Sequence, residues 1–129
     1  MPVLAGIVAA LISYIFNKFV LKEIGNKGII IAVPFIEESS KTAMAFILNA
    51  DMIAAHFVFG LVEGIYDIVN SSKRIGKWAA LASLISHSVF GAAVYFTMKA
   101  GYSIYWGVFL AWLLHSGWNW YVTKSEVRD

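Results

Sequence analysis

The sequence predicts an all-α, polytopic membrane helix bundle of about five transmembrane helices, with the N-terminus outside and the C-terminus cytoplasmic. Three observations carry this prediction. First, of 129 residues 60% are hydrophobic and 14% charged, and mean hydropathy is +0.71; soluble domains run near 45–50% and about 25%. A small soluble domain leaves much of its surface in water and cannot hide that excess. Second, the apolar residues fall in stretches close to the roughly 20 residues that cross a hydrocarbon core. Third, the basic residues gather between alternate stretches, as the positive-inside rule requires. Cysteine is absent, which removes disulfides, thiolate zinc sites and a cysteine nucleophile together. The net charge of +2 is too small to point to nucleic acid.

The spans run Val3 to Val20, Gly28 to Ala50, Asp51 to Asn70, Trp78 to Met98 and Ser103 to Val122. No Lys or Arg precedes the first, and Lys18, Lys22 and Lys27 follow or end it, so it reads as a retained helix and not as a cleaved signal peptide. The second and third meet at Asn49-Ala50-Asp51 and predict a tight antiparallel hairpin. Asn70-Ser71-Ser72-Lys73-Arg74 and Lys99-Ala100-Gly101 supply the later turns. With five spans, Lys18, Lys22, Lys27, Lys73, Arg74, Lys77, Lys124 and Arg128 share one side, which is thereby cytoplasmic; Lys99 lies opposite and Lys41 within a span. Trp78, Tyr102, Tyr105, Trp106, Trp120 and Tyr121 lie near span ends as interfacial aromatics, whereas Trp112 and Trp118 read as packing or pocket residues. The whole chain, 1–129, reads as one integral membrane domain of a multi-pass cell-membrane protein.

Away from the span ends, eight ionisable residues fall within the spans: Glu37, Glu38, Lys41, His56, Glu63, Asp67, His87 and His115. Such groups are costly in lipid, so they normally face the bundle interior and serve a function. Counting from the span ends, Glu37, Glu38, Glu63, His87 and His115 all lie roughly 10–15 Å below the cytoplasmic surface. Four helices thereby converge on one layer. Lys41 reaches back to Glu37 or Glu38 from one helical face, as ion-pair partner or catalytic helper. Glu63 shares a face with Asp67, and His115 with Asn119. Gly60 and Gly64 flank Glu63 in a GxxxG pattern suited to close packing. Asp67 lies near enough to the boundary to support the site or to pair with Lys73 or Arg74. Pro34 is expected to loosen the backbone before the carboxylates. His56, near the outer end of its span, reads as an interfacial residue. Water would reach the layer through a cleft open to the cytoplasm and lined by the second to fifth helices.

Two hydrolytic mechanisms suit these groups. In one, Glu37 or Glu38 takes a proton from water while histidine and asparagine donors stabilise an oxyanion. In the other, Glu63, His87 and His115 bind a divalent metal such as zinc, and a glutamate of the pair acts on the metal-bound water.

The same residues form an ordered set of motifs: EExxK at Glu37 to Lys41, FxxxE at Phe59 to Glu63, a histidine followed by glycine at His87 and Gly91, and HxxWN at His115 to Asn119. This set, covering roughly Ile29 to Tyr121, resembles the PrsW family of intramembrane proteases, relatives of the type II CAAX prenyl proteases. The resemblance implies a glutamate-dependent peptidase acting on membrane-anchored proteins or peptides. It implies that Glu37 and Glu38 activate water, that Glu63, His87 and His115 complete the active site or bind metal, and that Asn119 supports it. The first span stands outside the resemblance as an addition to a four-helix core. Two other readings are a non-catalytic membrane scaffold and a small proton or cation transporter.

Overall fold

The structure is a computed structural model and describes residues 1–70 and 72–126, with side chains of 73, 74, 125 and 126 outside the description. Every regular element among the described residues is helical: α1 (Pro2–Ile24), a 3-10 segment (Gly25–Ile29), α2 (Ala32–Ile47), α3 (Met52–Asn70), α4 (Lys73–Lys99) and α5 (Ile104–Glu126). Three segments are long and apolar enough to cross a membrane: Pro2–Ile29, Met52–Asn70 and Ile75–Lys99. At 23 residues α5 is long enough but less apolar, because His115, Ser116, Asn119 and several tryptophans interrupt it.

The second span differs most from expectation. Gly25 adopts φ 63°, which ends α1 and starts the 3-10 segment, and α2 is delayed to Ala32. Its 16 residues rise only about 24 Å, short of a roughly 30 Å hydrocarbon core. Pro34 sits in the first turn of α2, where its missing N–H has no helical acceptor to lose. It therefore starts this helix and does not loosen it. The turn after α2 is tight, as expected: Asn49 takes φ 46°, and the Asp51 carboxylate accepts from Ala54 N at 2.7 Å, capping α3.

The packing is inside out by the standard of a soluble protein. Large apolar side chains such as Phe16, Phe19, Phe46, Val69 and Ile85 are more than half exposed, whereas Glu38, Lys41 and His56 are fully buried. All six aromatics expected near span ends are exposed. The apolar core is made mostly of small residues, Ala5, Ala45, Ala55 and Ala111 with Met52, Phe90 and Val94. It occupies the end of the bundle bearing the α2–α3 turn.

α1 is no peripheral addition, since it packs against both α2 and α3; α4 packs closely on α3, and α5 on α4 and α2. Gly60 and Gly64 account for the α3–α4 approach: a Cβ on Gly60 would lie 3.0 Å from Ser83 O, and one on Gly64 would lie 3.1 Å from Ala80 Cα. The GxxxG pattern thus packs within the chain.

Candidate functional site

Glu38 is the centre of the buried polar layer. One face of α2 carries Glu37, Glu38, Lys41 and Thr42 inward, all buried. Lys41 Nζ donates to Glu38 Oε1 at 2.6 Å and lies 2.7 Å from His87 Nδ1. An ammonium can only donate, so His87 Nδ1 accepts. Its Nε2–H then donates to Glu63 Oε2 at 2.5 Å, which also accepts from Ser83 Oγ at 2.8 Å. From α5, His115 Nδ1 lies 2.7 Å from Glu38 Oε1; a carboxylate accepts, so Nδ1–H donates, and in the neutral imidazole Nε2 keeps its lone pair. A hydrogen-bonded path therefore runs His115–Glu38–Lys41–His87–Glu63–Ser83 through α5, α2, α4 and α3.

Aromatic rings enclose this path. Lys41 Nζ lies 4.5 Å from the centre of the Phe59 ring, and the His115 ring stacks on Phe90 at 4.8 Å. The rings exclude water and hold both charge and imidazole in place. Three carboxylates in the layer face one ammonium, which leaves an excess of negative charge for protons or a cation to offset.

Glu37 is held differently from its neighbour. Its Oε1 accepts from the neutral Asn17 Nδ2 of α1 at 2.8 Å, while its Oε2, like Glu38 Oε2, is buried without a hydrogen-bond partner. The free Glu37 oxygen lies 3.8 Å from His115 Nε2. Two lone-pair-bearing atoms at that separation can both contact one water molecule.

Glu37, Glu38, Lys41, Glu63, His87 and His115 are thus brought together. Asn119 is not joined to them: one turn beyond His115, it donates to Ile29 O at 2.9 Å, while Trp112 Nε1 donates to Ile31 O at 2.9 Å. Both α5 side chains fasten carbonyls of the segment before α2, of which Ile31 O also accepts from Phe35 N at 3.3 Å. Asp67, half-buried on α3, joins no hydrogen bond of the layer among the described residues. Its suggested partners Lys73 and Arg74 lie outside the described side chains, as Ser71 and Arg128 lie outside the described residues.

His56 corrects the interfacial expectation. It is fully buried, with Nε2 3.5 Å from Glu38 Oε2 and Nδ1–H donated to Met52 O at 2.9 Å. Gly91 makes the room, since a Cβ there would fall 2.7 Å from His56 Cβ. The signal was the spacing of His56, Phe59, Gly60 and Glu63, one face of a helix. Asn17 and Ser83 were also overlooked. Asn17 is a lone amide in a helix apolar on all sides, and Ser83 is one serine among several on α4.

The cleft also differs. A groove of about 520 Å³ runs between α1 and α3, with Asn17, Glu37 and Glu63 among its lining. It is bounded by the first and third helices with Glu37 of the second, and not by the fourth and fifth, because α1 packs on α2 and α3 and forms one wall.

Glu37, His87 and His115 form a buried group that could hold a metal ion, with one ligand atom of each within 4.8 Å of the others. Relative to the expected set, Glu37 replaces Glu63, which bonds directly to His87. The unpartnered Glu37 Oε2 and the His115 Nε2 lone pair fit a divalent ion. Both His87 nitrogens are engaged, so its ligation would release Lys41 or Glu63.

Comparison of the chain with protein-family models, with curated proteins and with solved structures found no match.

Proposed function

We propose that the chain is an intramembrane peptidase of the cell membrane, with five membrane-crossing segments and Glu37 as the base that activates water. The observation that carries this reading is the division of labour in the carboxylate pair. Each glutamate has one buried oxygen without a hydrogen-bond partner. That of Glu38 faces His56 while its other oxygen is tied to Lys41 and His115, whereas Glu37 lines the α1–α3 groove with its free oxygen 3.8 Å from His115 Nε2. A water between them gives a proton to Glu37, and the resulting hydroxide attacks the carbonyl carbon of a peptide bond. The proton then passes from Glu37 to the leaving nitrogen. Lys41 stays bonded to Glu38 and His87 and offsets negative charge that builds up in the layer.

The ordered motifs that resemble the PrsW family support the same reading. Metal-free hydrolysis is favoured by the full engagement of His87. The Glu37, His87 and His115 group supports a second version, in which a bound zinc would lower the proton affinity of its water.

The test is incubation of purified wild type, Glu37→Ala and Glu38→Ala with a library of membrane-spanning peptides, with and without a chelator. Cleavage that vanishes in Glu37→Ala and survives the chelator is expected. Cleavage surviving both substitutions removes the assigned role, and loss with the chelator selects the metal version. Absence of cleavage alongside proton flux in sealed vesicles would select a transporter, and absence of both a scaffold.

A further inference from the structure

The α1–α3 groove is apolar along its walls and polar at its floor. Ile7, Leu11, Leu21 and Val62 line the sides, while Ser13, Asn17 and Glu37 lie deeper. Three buried atoms of this floor have no hydrogen-bond partner: Ser13 Oγ, Asn17 Oδ1 and Glu37 Oε2. Ser13 is only 1% exposed and Glu37 4%. Even with water on Glu37 Oε2, an acyl chain in the groove would leave Ser13 Oγ and Asn17 Oδ1 unsatisfied. A bound group carrying its own donors and acceptors would not.

Spacing narrows the choice. Ser13 and Asn17 stand four residues apart on one face of α1, a rise of about 6 Å. Backbone groups on one edge of an extended strand repeat every two residues, about 6.7 Å. A peptide unwound from its helix in lipid carries N–H and C=O groups in need of partners. Glu37, bonded to Asn17, stands beside the line such a strand would follow. From Ile7 to Leu21 the lining rises about 21 Å, enough for about six extended residues.

Resting on the peptidase reading, we infer that the α1–α3 groove is the substrate site, binding an unwound apolar peptide segment as an extended strand whose backbone is held by Ser13 and Asn17 against Glu37. α1 is therefore the substrate-binding helix. The slot of about 670 Å³ between α4 and α5 serves as the contrast: Leu81, Ile85, Val89 and Trp118 line it, and its Ser86 hydroxyl is already bonded to Ser83 O at 3.2 Å.

The test uses the full chain in lipid nanodiscs with benzoylphenylalanine in place of Leu11 or, separately, of Ile85. The probes are biotinylated Leu/Ala peptides of about 20 residues, with or without a central Gly-Pro pair that breaks the helix. Photo-cross-linking is expected from position 11 and not from position 85, and about tenfold more strongly with the helix-broken peptide. Ser13→Val with Asn17→Leu is expected to lower it about tenfold, the scale of losing two hydrogen bonds. Equal labelling by both peptides, preference for position 85, or no labelling at either position overturns the inference; the position comparison holds whether or not the double variant folds. Cleavage of the same peptides is scored in parallel. Labelling from position 11 without cleavage would sink the peptidase reading and keep the docking site, whereas cleavage without that labelling would do the reverse.

Discussion

Glu37 and Glu38 are neighbours in the chain, yet the bundle gives them opposite surroundings. Glu38 Oε1 takes bonds from Lys41 and His115 and its Oε2 faces His56, whereas Glu37 accepts only from Asn17 among the described residues and lines the α1–α3 groove. The Lys41–Glu38 pair is completely buried, and breaking such a pair leaves an uncompensated charge at a cost of about 3–5 kcal/mol. Lys41→Met is therefore expected to destabilise the protein by about that amount, read as a lower midpoint of unfolding in detergent; an unchanged midpoint would show that the pair is not needed. Glu37, Glu38, Glu63, His87 and His115 were legible in the sequence because charge inside an apolar span stands out. Which carboxylate borders the groove was not, since it depends on α1 packing alongside α2 and on Asn17 reaching across to Glu37. Nor was the imidazole proton placement, which follows from Lys41 and Glu38 contacting particular nitrogens.

At the scale of helices, the site depends on close approaches that small residues permit. Gly91 seats His56 against Glu38, and an added methyl at 2.7 Å from His56 Cβ has no room. Gly91→Ala is expected to cost about 1–3 kcal/mol, the range of overpacking in a tight interior, measured by the same unfolding transition. Stability equal to wild type would mean that α3 and α4 separate freely there. The hairpin turn, α3, α4 and α5 were readable from apolar runs and from turn residues. The late start of α2 was not, because Ile29 to Val33 is as apolar as the helix that follows and only the Gly25 backbone reveals the break. The place of α1 was hidden for a related reason. A helix apolar on every side carries no periodic signal for the face it packs.

At the scale of the molecule, exposed Phe, Trp, Ile and Leu surround an interior that holds Glu, Lys and His, the distribution expected when lipid is the solvent. The five-span proposal places the turns after α1 and α4 on opposite faces. Since the chain has no native cysteine, Asn26→Cys and Ser103→Cys can each be labelled singly in sealed vesicles. An impermeant maleimide is expected to reach them from the inner and outer face respectively, and labelling of both from one side would exclude five spans.

The layer's chemistry is tested most directly by comparing cleavage of a membrane-spanning peptide by Glu37→Gln and Glu38→Gln, each checked for its unfolding midpoint. Loss of a general base typically slows a reaction about 10²–10⁴-fold. Glu37→Gln is expected to lose cleavage by at least that lower factor with a near wild-type midpoint, and Glu38→Gln to lower the midpoint itself. Cleavage by Glu37→Gln within about tenfold of wild type, well short of the general-base range, would contradict Glu37 as the base.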